Sequence, residues 1–136
     1  MAIDDDTPGA DLSDCEVEAL HEVELGLEWL RRAHGKLVEF HHNTGHAMEH
    51  LDEAETLLRE SGHEDLADEI RKRHLPRGVV DDHRWSYDVL ESFEDDFMAD
   101  VTAFAEHTRT DLADGRRHVA ERRQEREWKR QARGEK

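Results

Sequence analysis

The sequence contains one cysteine and two prolines, and aromatic residues make up only 6% of its 136 residues. Because Cys15 is the sole thiol, the chain cannot form an intrachain disulfide, and nothing in it indicates an oxidising compartment. Apolar runs are short, and none approaches the ~18 residues that a membrane-spanning helix needs. Residues 1–6 have neither the basic region nor the apolar run of a secretory signal. The sequence therefore predicts a cytoplasmic protein.

Lysine is also scarce, since four lysines leave the other fifteen of the 19 basic positions to arginine. Against these stand 35 acidic residues, which give a net charge of −16. High charge with only 35% hydrophobic residues is also typical of disorder, but here the hydrophobic residues recur periodically. Abundant carboxylates with few lysines resemble the cytoplasmic proteins of salt-in halophilic archaea, where molar salt screens charge repulsion to within about 3 Å. The alternative is an acidic protein that binds cationic partners.

The hydrophobic pattern predicts an all-α fold. A capping box at Ser13 and Glu16 opens a heptad register that continues to the glycine cap at Ser61-Gly62. This predicts a first helix over about 13–61. The glycine in Asn43-Thr44-Gly45 is the likeliest point of a kink, but the unbroken register favours continuity.

Two further helices follow. A short polar helix is predicted over 63–74, and a second long helix over 82–130 is predicted to begin at Asp81 or Asp82. Together the two long helices form a long antiparallel hairpin with a short connector helix. The acidic residues 1–12 and the last six residues, 131–136, are predicted to be disordered tails around one domain, residues 13–130.

A two-helix hairpin buries little apolar surface, because each helix has only one neighbour. Two arrangements complete the core as a four-helix bundle. Two hairpins can associate as a homodimer, which we favour, or a kink near residues 43–45 can produce the bundle within one chain.

Histidines supply the first candidate site. On one helix ridge, His42, His46 and His50 are spaced i, i+4, i+8, and Glu49 lies beside them. Imidazoles one turn apart can chelate a divalent transition metal, which is the one cofactor that the sequence suggests. Glu39-x-x-His42 matches one element of di-iron carboxylate bundles, but the second long helix has no such motif. The heptad register places this ridge opposite the apolar seam, which favours a solvated polar face.

His34 and His41 instead occupy heptad positions that face the partner helix. An alignment with Leu51 opposite Glu94 places His41 near Phe104, and His34 near Thr108 and Asp111. Hydrogen bonds there would satisfy the histidines and fix the register, and a buried ligand or metal pocket is the alternative. The same alignment brings Glu55 and Glu94 together near Arg71–Arg73, where an ion-pair cluster is predicted.

The basic residues collect at the end of the chain. Residues 115–136 hold nine basic and four acidic side chains, a local charge of +5. On a helix, five arginines share a stripe that could bind nucleic acid or an acidic partner: Arg116, Arg123, Arg126, Arg130 and Arg133. We favour ion pairs that close the hairpin, which the alignment assigns as Arg123 with Glu22, Arg117 with Glu28 and Lys129 with Glu16.

No catalytic residue is predicted, because Cys15 lacks the context of a reactive thiol and no phosphate-binding loop or catalytic triad is present. The sequence thus predicts a non-enzymatic helical structural or interaction protein of a salt-in halophilic archaeon that associates with itself. A metal-binding helical bundle and a nucleic-acid-associated protein are the two alternatives.

Overall fold

A computed structural model describes residues 11–81 and 83–134 of the chain. These residues form helices, turns and one isolated β-bridge between Asp81 and Arg84, with no strand among them. The predicted all-α class is confirmed. Within the same residues, no helix combines the length and apolarity needed to cross a membrane.

The first helix, α1 (Asp14–Glu60), is continuous over 47 residues, including the Asn43-Thr44-Gly45 segment. The predicted capping box is present at its start. The Ser13 N–H donates to Glu16 Oε1 at 2.9 Å, and the Glu16 N–H donates to Ser13 Oγ at 3.1 Å. The helix ends as predicted at Gly62, whose φ of +85° lies in the left-handed region that glycine tolerates.

The short helix predicted over 63–74 is present, whereas the segment predicted as one second long helix is divided. Helix α2 (Glu64–Glu69) continues as a π-helical turn over Ile70–His74. Helix α3 (Ser86–Phe93) continues through a second π-helical turn, Glu94–Met98, into α4 (Ala99–Ala113). The last helix is α5 (Val119–Ala132).

The predicted single helix over 82–130 is wrong, because residues 114–118 interrupt it. Asp114 and Gly115 have left-handed φ angles of 51° and 81°. The Gly115 N–H donates to the Arg109 carbonyl at 3.1 Å, a typical closure of a helix C-terminus. The chain then turns through His118, also left-handed at φ 58°, and starts α5.

The ends of the predicted elements also differ. Helix α3 begins at Ser86, where the Trp85 N–H donates to the Asp88 carboxylate at 2.9 Å. Asp81 instead accepts a bond from Arg84 at 3.0 Å, and Asp82 lies outside the described residues. Helix α5 extends to Ala132, two residues into the predicted tail, and most of the predicted tail 1–12 lies outside the described residues.

The described chain divides into two compact units. Residues 11–31 and 98–134 form one, here the terminal unit, and residues 32–97 form the other, the central unit. Helix α1 contributes residues to both.

The terminal unit has a small, well-buried core. Val17 and Leu20 of α1 pack with Ala113 of α4 and Val119 of α5, and both Leu20 and Val119 are 1% exposed. Leu12, Leu112 and Ala120 cover this cluster. The core therefore joins the first turns of α1 to the end of α4 and the start of α5.

In the central unit, the chain after α1 runs antiparallel to it in a register that differs from the predicted one. Glu94 lies opposite His34 and not Leu51, a displacement of 17 residues along α1. Arg71, in the π-helical turn after α2, bonds Asp52 and Glu55. Because this connector occupies the space beside the last turns of α1, α3 begins further back, with Ser86 opposite His41.

Glu55 is the centre of an ion-pair cluster in the central unit. The residue is 8% exposed, and its carboxylate accepts bonds from Arg71 Nε at 2.7 Å and from Arg59 at 2.8 Å. Arg59 also reaches Glu64 at 2.7 Å and Asp68 at 3.1 Å. The predicted cluster is therefore present, but Glu94 is not part of it, because Glu94 pairs with His34.

This cluster predicts a loss of stability in acid. The hydrogen bonds from Arg71 and then Arg59 lower the pKa of Glu55 below its usual 4.5. A lowered folded-state pKa contributes stability above about pH 4.5 that is lost as the pH falls through the folded value. Glu55→Gln should therefore lower the Tm by several degrees at pH 7, with the difference from the parent chain shrinking below pH 4.5. Thermal melts across this range test it. Glu53→Gln, at an exposed position of the same helix, is the control, and a difference that persists unchanged at pH 2 would contradict the assignment.

Candidate functional site

The predicted metal ridge is exposed. The side chains of His42, His46, Glu49 and His50 all face solvent, and His46 Nδ1 lies 3.4 Å from Glu49 Oε2. Within residues 11–81 and 83–134, these four side chains do not bring three ligand atoms together. Chelation by a pair of these imidazoles stays a prediction.

His34 and His41 make structural contacts inside the central unit. His34 Nε2 lies 2.6 Å from Glu94 Oε2, and its ring stacks on Phe93 with centroids 6.4 Å apart. His41 Nδ1 lies 2.7 Å from Ser86 Oγ, and Ser86 is buried. These partners replace Phe104, Thr108 and Asp111, which the predicted register assigned, because the connector shifts α3 along α1. Asp111 instead pairs with His107 at 2.9 Å.

The predicted arginine stripe is divided by the interruption at residues 114–118. Arg123, Arg126 and Arg130 lie on α5, whereas Arg116 precedes the helix and Arg133 follows its last residue. Arg116 bonds Asp11 at 2.8 Å, and Arg123 bonds Asp14 at 3.0 Å and the Leu12 carbonyl at 2.9 Å. Nucleic-acid binding by these arginines stays a prediction.

The ion pairs of Arg116 and Arg123 connect the basic segment to the residues at the start of α1, although the acidic partners differ from the predicted ones. Lys129 pairs with Glu125 at 2.9 Å and not with Glu16, and Arg117 lies 3.9 Å from Glu106. The partner of Arg123 is Asp14 and not the predicted Glu22.

A cavity of about 230 Å³ opens in the terminal unit between α1, α4 and the start of α5. Its walls combine apolar, acidic and basic side chains in similar numbers. The lining residues are Glu24, Leu25, Leu27, Glu28, Arg31, Ala105, Arg109, Arg117, His118 and Glu121. Arg109 is only 8% exposed and donates to Glu106 at 2.9 Å.

At the edge of this cavity, three metal-ligating side chains converge. His21 and Glu24 of α1 and Glu121 of α5 each offer one ligand atom, and the three atoms lie within 4.8 Å of one another. His21 Nδ1 is 3.4 Å from Glu121 Oε2. That nitrogen is buried and makes no hydrogen bond, so its approach to Glu121 lacks hydrogen-bond geometry.

The two carboxylates of this cluster, Glu24 and Glu121, repel each other. Burial raises the pKa of Glu24, and the nearby charge of Glu121 raises it further. The imidazoles of His118 and His21 act in the opposite direction, because a positive charge beside Glu24 favours its ionised form. A cation held between the carboxylates would relieve the same repulsion.

The sequence patterns do not predict this cluster. His21-x-x-Glu24 has the reverse order of Glu39-x-x-His42, and the same spacing recurs at His46-x-x-Glu49, His50-x-x-Glu53 and His118-x-x-Glu121. Residues three apart share a helix face. The spacing alone therefore does not distinguish this cluster from the exposed ridge.

Apolar side chains are left uncovered in the central unit. Among residues 32–81 and 83–97, the buried hydrophobic residues are Ala67 and Ile70 alone. Seven large apolar side chains of the same unit are exposed: Phe40, Leu51, Leu57, Leu66, Val80, Tyr87 and Phe97. On α1, Phe40 and Leu51 are three turns apart and therefore lie on one face, here the α1 apolar face.

Comparison of the chain with protein-family models, with curated proteins and with solved structures gives no match in any of the three.

Proposed function

We propose that this chain is a non-enzymatic helical structural protein that associates with a second copy of itself through the central unit. The observation that carries the proposal is the contrast within that unit, where Ala67 and Ile70 are buried while Phe40, Leu51 and other large apolar side chains are exposed. An unpaired helical face of this kind is what a four-helix bundle would cover.

Energetics and symmetry support a second copy as the partner. Complete burial of a Phe or Leu side chain contributes about 1.5–3 kcal/mol, and a two-fold interface buries each such residue twice. The net charge of −16 opposes this association in dilute buffer. Molar salt reduces this repulsion. The acidic, lysine-poor composition fits a salt-rich cytoplasm, in which the association would therefore be favoured.

Light scattering after size exclusion in molar KCl tests the proposal. The full chain should have a mass near twice 15.9 kDa. The double variant Phe40→Glu, Leu51→Glu should shift to the monomer mass, because each carboxylate would have to be desolvated at the interface. Circular dichroism checks that the variant remains helical.

Trp128→Glu is the matched control, since Trp128 is 62% exposed but belongs to the terminal unit. It should leave the mass unchanged. A full chain that elutes as a monomer in molar KCl, or a dimer that survives the double variant, would refute the proposed interface.

A further inference from the structure

We propose that His21, Glu24 and Glu121 form a binding site for one divalent transition-metal ion in the terminal unit. The site differs from the exposed ridge at His42, His46 and His50, and it does not depend on association between chains.

Geometry supports the assignment first. Ligand atoms about 2.0–2.2 Å from a tetrahedral ion lie about 3.4 Å from each other. His21 Nδ1 and Glu121 Oε2 are 3.4 Å apart, and the Glu24 oxygen lies within 4.8 Å of both. Small side-chain rotations are therefore enough to place all three atoms around one ion.

The state of His21 supplies a second, independent observation. Its Nδ1 is buried and makes no hydrogen bond, although the side chain as a whole is 33% exposed, and a buried polar atom that makes no hydrogen bond is costly. Direct coordination of a cation would satisfy this nitrogen.

The chemistry of the ligands indicates which metal ions the site would bind. One imidazole nitrogen and two carboxylate oxygens suit Zn²⁺, Fe²⁺ or Mn²⁺ better than Ca²⁺, which prefers an all-oxygen shell. Three protein ligands leave a coordination position for water. His118 lines the cavity together with Glu24 and Glu121.

The position of the ligands indicates what the ion would do. His21 and Glu24 belong to α1, and Glu121 belongs to α5, so a bound ion would crosslink the two helices beside the core of Leu20 and Val119. Metal loading should therefore raise the melting temperature of the chain, because an ion that binds only the folded state stabilises it.

Equilibrium dialysis of the untagged full chain against Zn²⁺ tests the site. Molar KCl suppresses diffuse attraction of cations to the acidic surface. The expected result is one Zn²⁺ per chain and a rise in Tm that a chelator reverses. Glu121→Gln and Glu24→Gln should each weaken binding at least about tenfold, since even outer-shell substitutions cost this much in metal sites.

The matched control is the triple variant His42→Asn, His46→Asn, His50→Asn, which removes the exposed ridge and should bind Zn²⁺ as the parent chain does. Both glutamine substitutions are close in shape to the parent residues, and circular dichroism verifies their folding. A parent chain that takes up less than about a tenth of an equivalent would overturn the assignment. So would full binding by Glu121→Gln, or loss of binding in the ridge variant.

Discussion

Replacing Leu20 by alanine should lower the free energy of unfolding by about 2–5 kcal/mol, a large part of the roughly 5–15 kcal/mol that stabilises a typical domain. Leu20 is 1% exposed and packs against Val17, Ala113 and Val119. Truncation leaves a cavity where α1, α4 and α5 meet. Urea denaturation in molar KCl measures the loss.

Phe104→Ala is the appropriate comparison, because Phe104 belongs to the same unit but is 58% exposed. Its effect should stay within about 0.5 kcal/mol. Similar losses from both substitutions would show that the buried cluster does not hold this unit together. The same cluster also fixes Glu121 relative to His21, since it joins α5 to α1.

A second large effect is expected from Gly78→Ala. Gly78 has a φ of +83°, and an added Cβ would lie inside van der Waals contact of the Asp81 carbonyl oxygen and 3.0 Å from that of Arg84. The loop cannot easily move away from the added Cβ, because the Val79 N–H donates a hydrogen bond to the Arg84 carbonyl at 2.8 Å. Backbone strain and the clash together should cost about 2–5 kcal/mol.

Two other glycines allow the contribution of backbone strain to be measured separately from that of the steric clash. Gly115 has a similar φ of +81°, but an added Cβ would meet nothing within 4 Å, so Gly115→Ala should cost only about 1 kcal/mol from the conformation. Gly35 lies within α1 and is equally open, so Gly35→Ala should stabilise the chain by about 1 kcal/mol. Equal losses at Gly78 and Gly115 in parallel urea titrations would rule out the steric clash.

Features encoded by neighbouring residues could be predicted from the sequence. The capping box of Ser13 and Glu16, the end of α1 at Gly62 and the continuity through Gly45 all depend on residues within a few turns of one helix. The interruption after Ala113 also had a local signal, the Asp114-Gly115 pair. The heptad pattern of α4 nevertheless continues in apparent register into α5, which predicts one uninterrupted helix.

The register of the central unit could not be obtained in this way. Heptads fix which face of a helix is apolar, but they allow displacement by whole turns. The displacement of 17 residues results from the space that the connector occupies beside Glu55, and from the loop at Gly78 that returns the chain to Ser86. Both constraints arise from the path of the chain in three dimensions, which the pattern along one helix does not specify.

The candidate metal cluster was missed for a related reason. Its α1 half, His21-x-x-Glu24, is visible in the sequence, but the partner Glu121 is 100 positions from His21. The approach of these residues depends on packing of Leu20 against Val119, which periodicity alone does not specify. Histidine density instead favours His42, His46 and His50, whose side chains are exposed.

The division of the chain into two units has a consequence for the order of folding during synthesis. The central unit is continuous in sequence, so a ribosome completes it once residue 97 has emerged. The terminal unit needs Val17 to meet Val119, and it therefore has to wait until the last helix has been made. Its two halves also close a longer loop than His41 and Ser86 do, at an added entropic cost of only about 0.5–1 kcal/mol. The first turns of α1 are thus synthesised early but acquire their packing partners last.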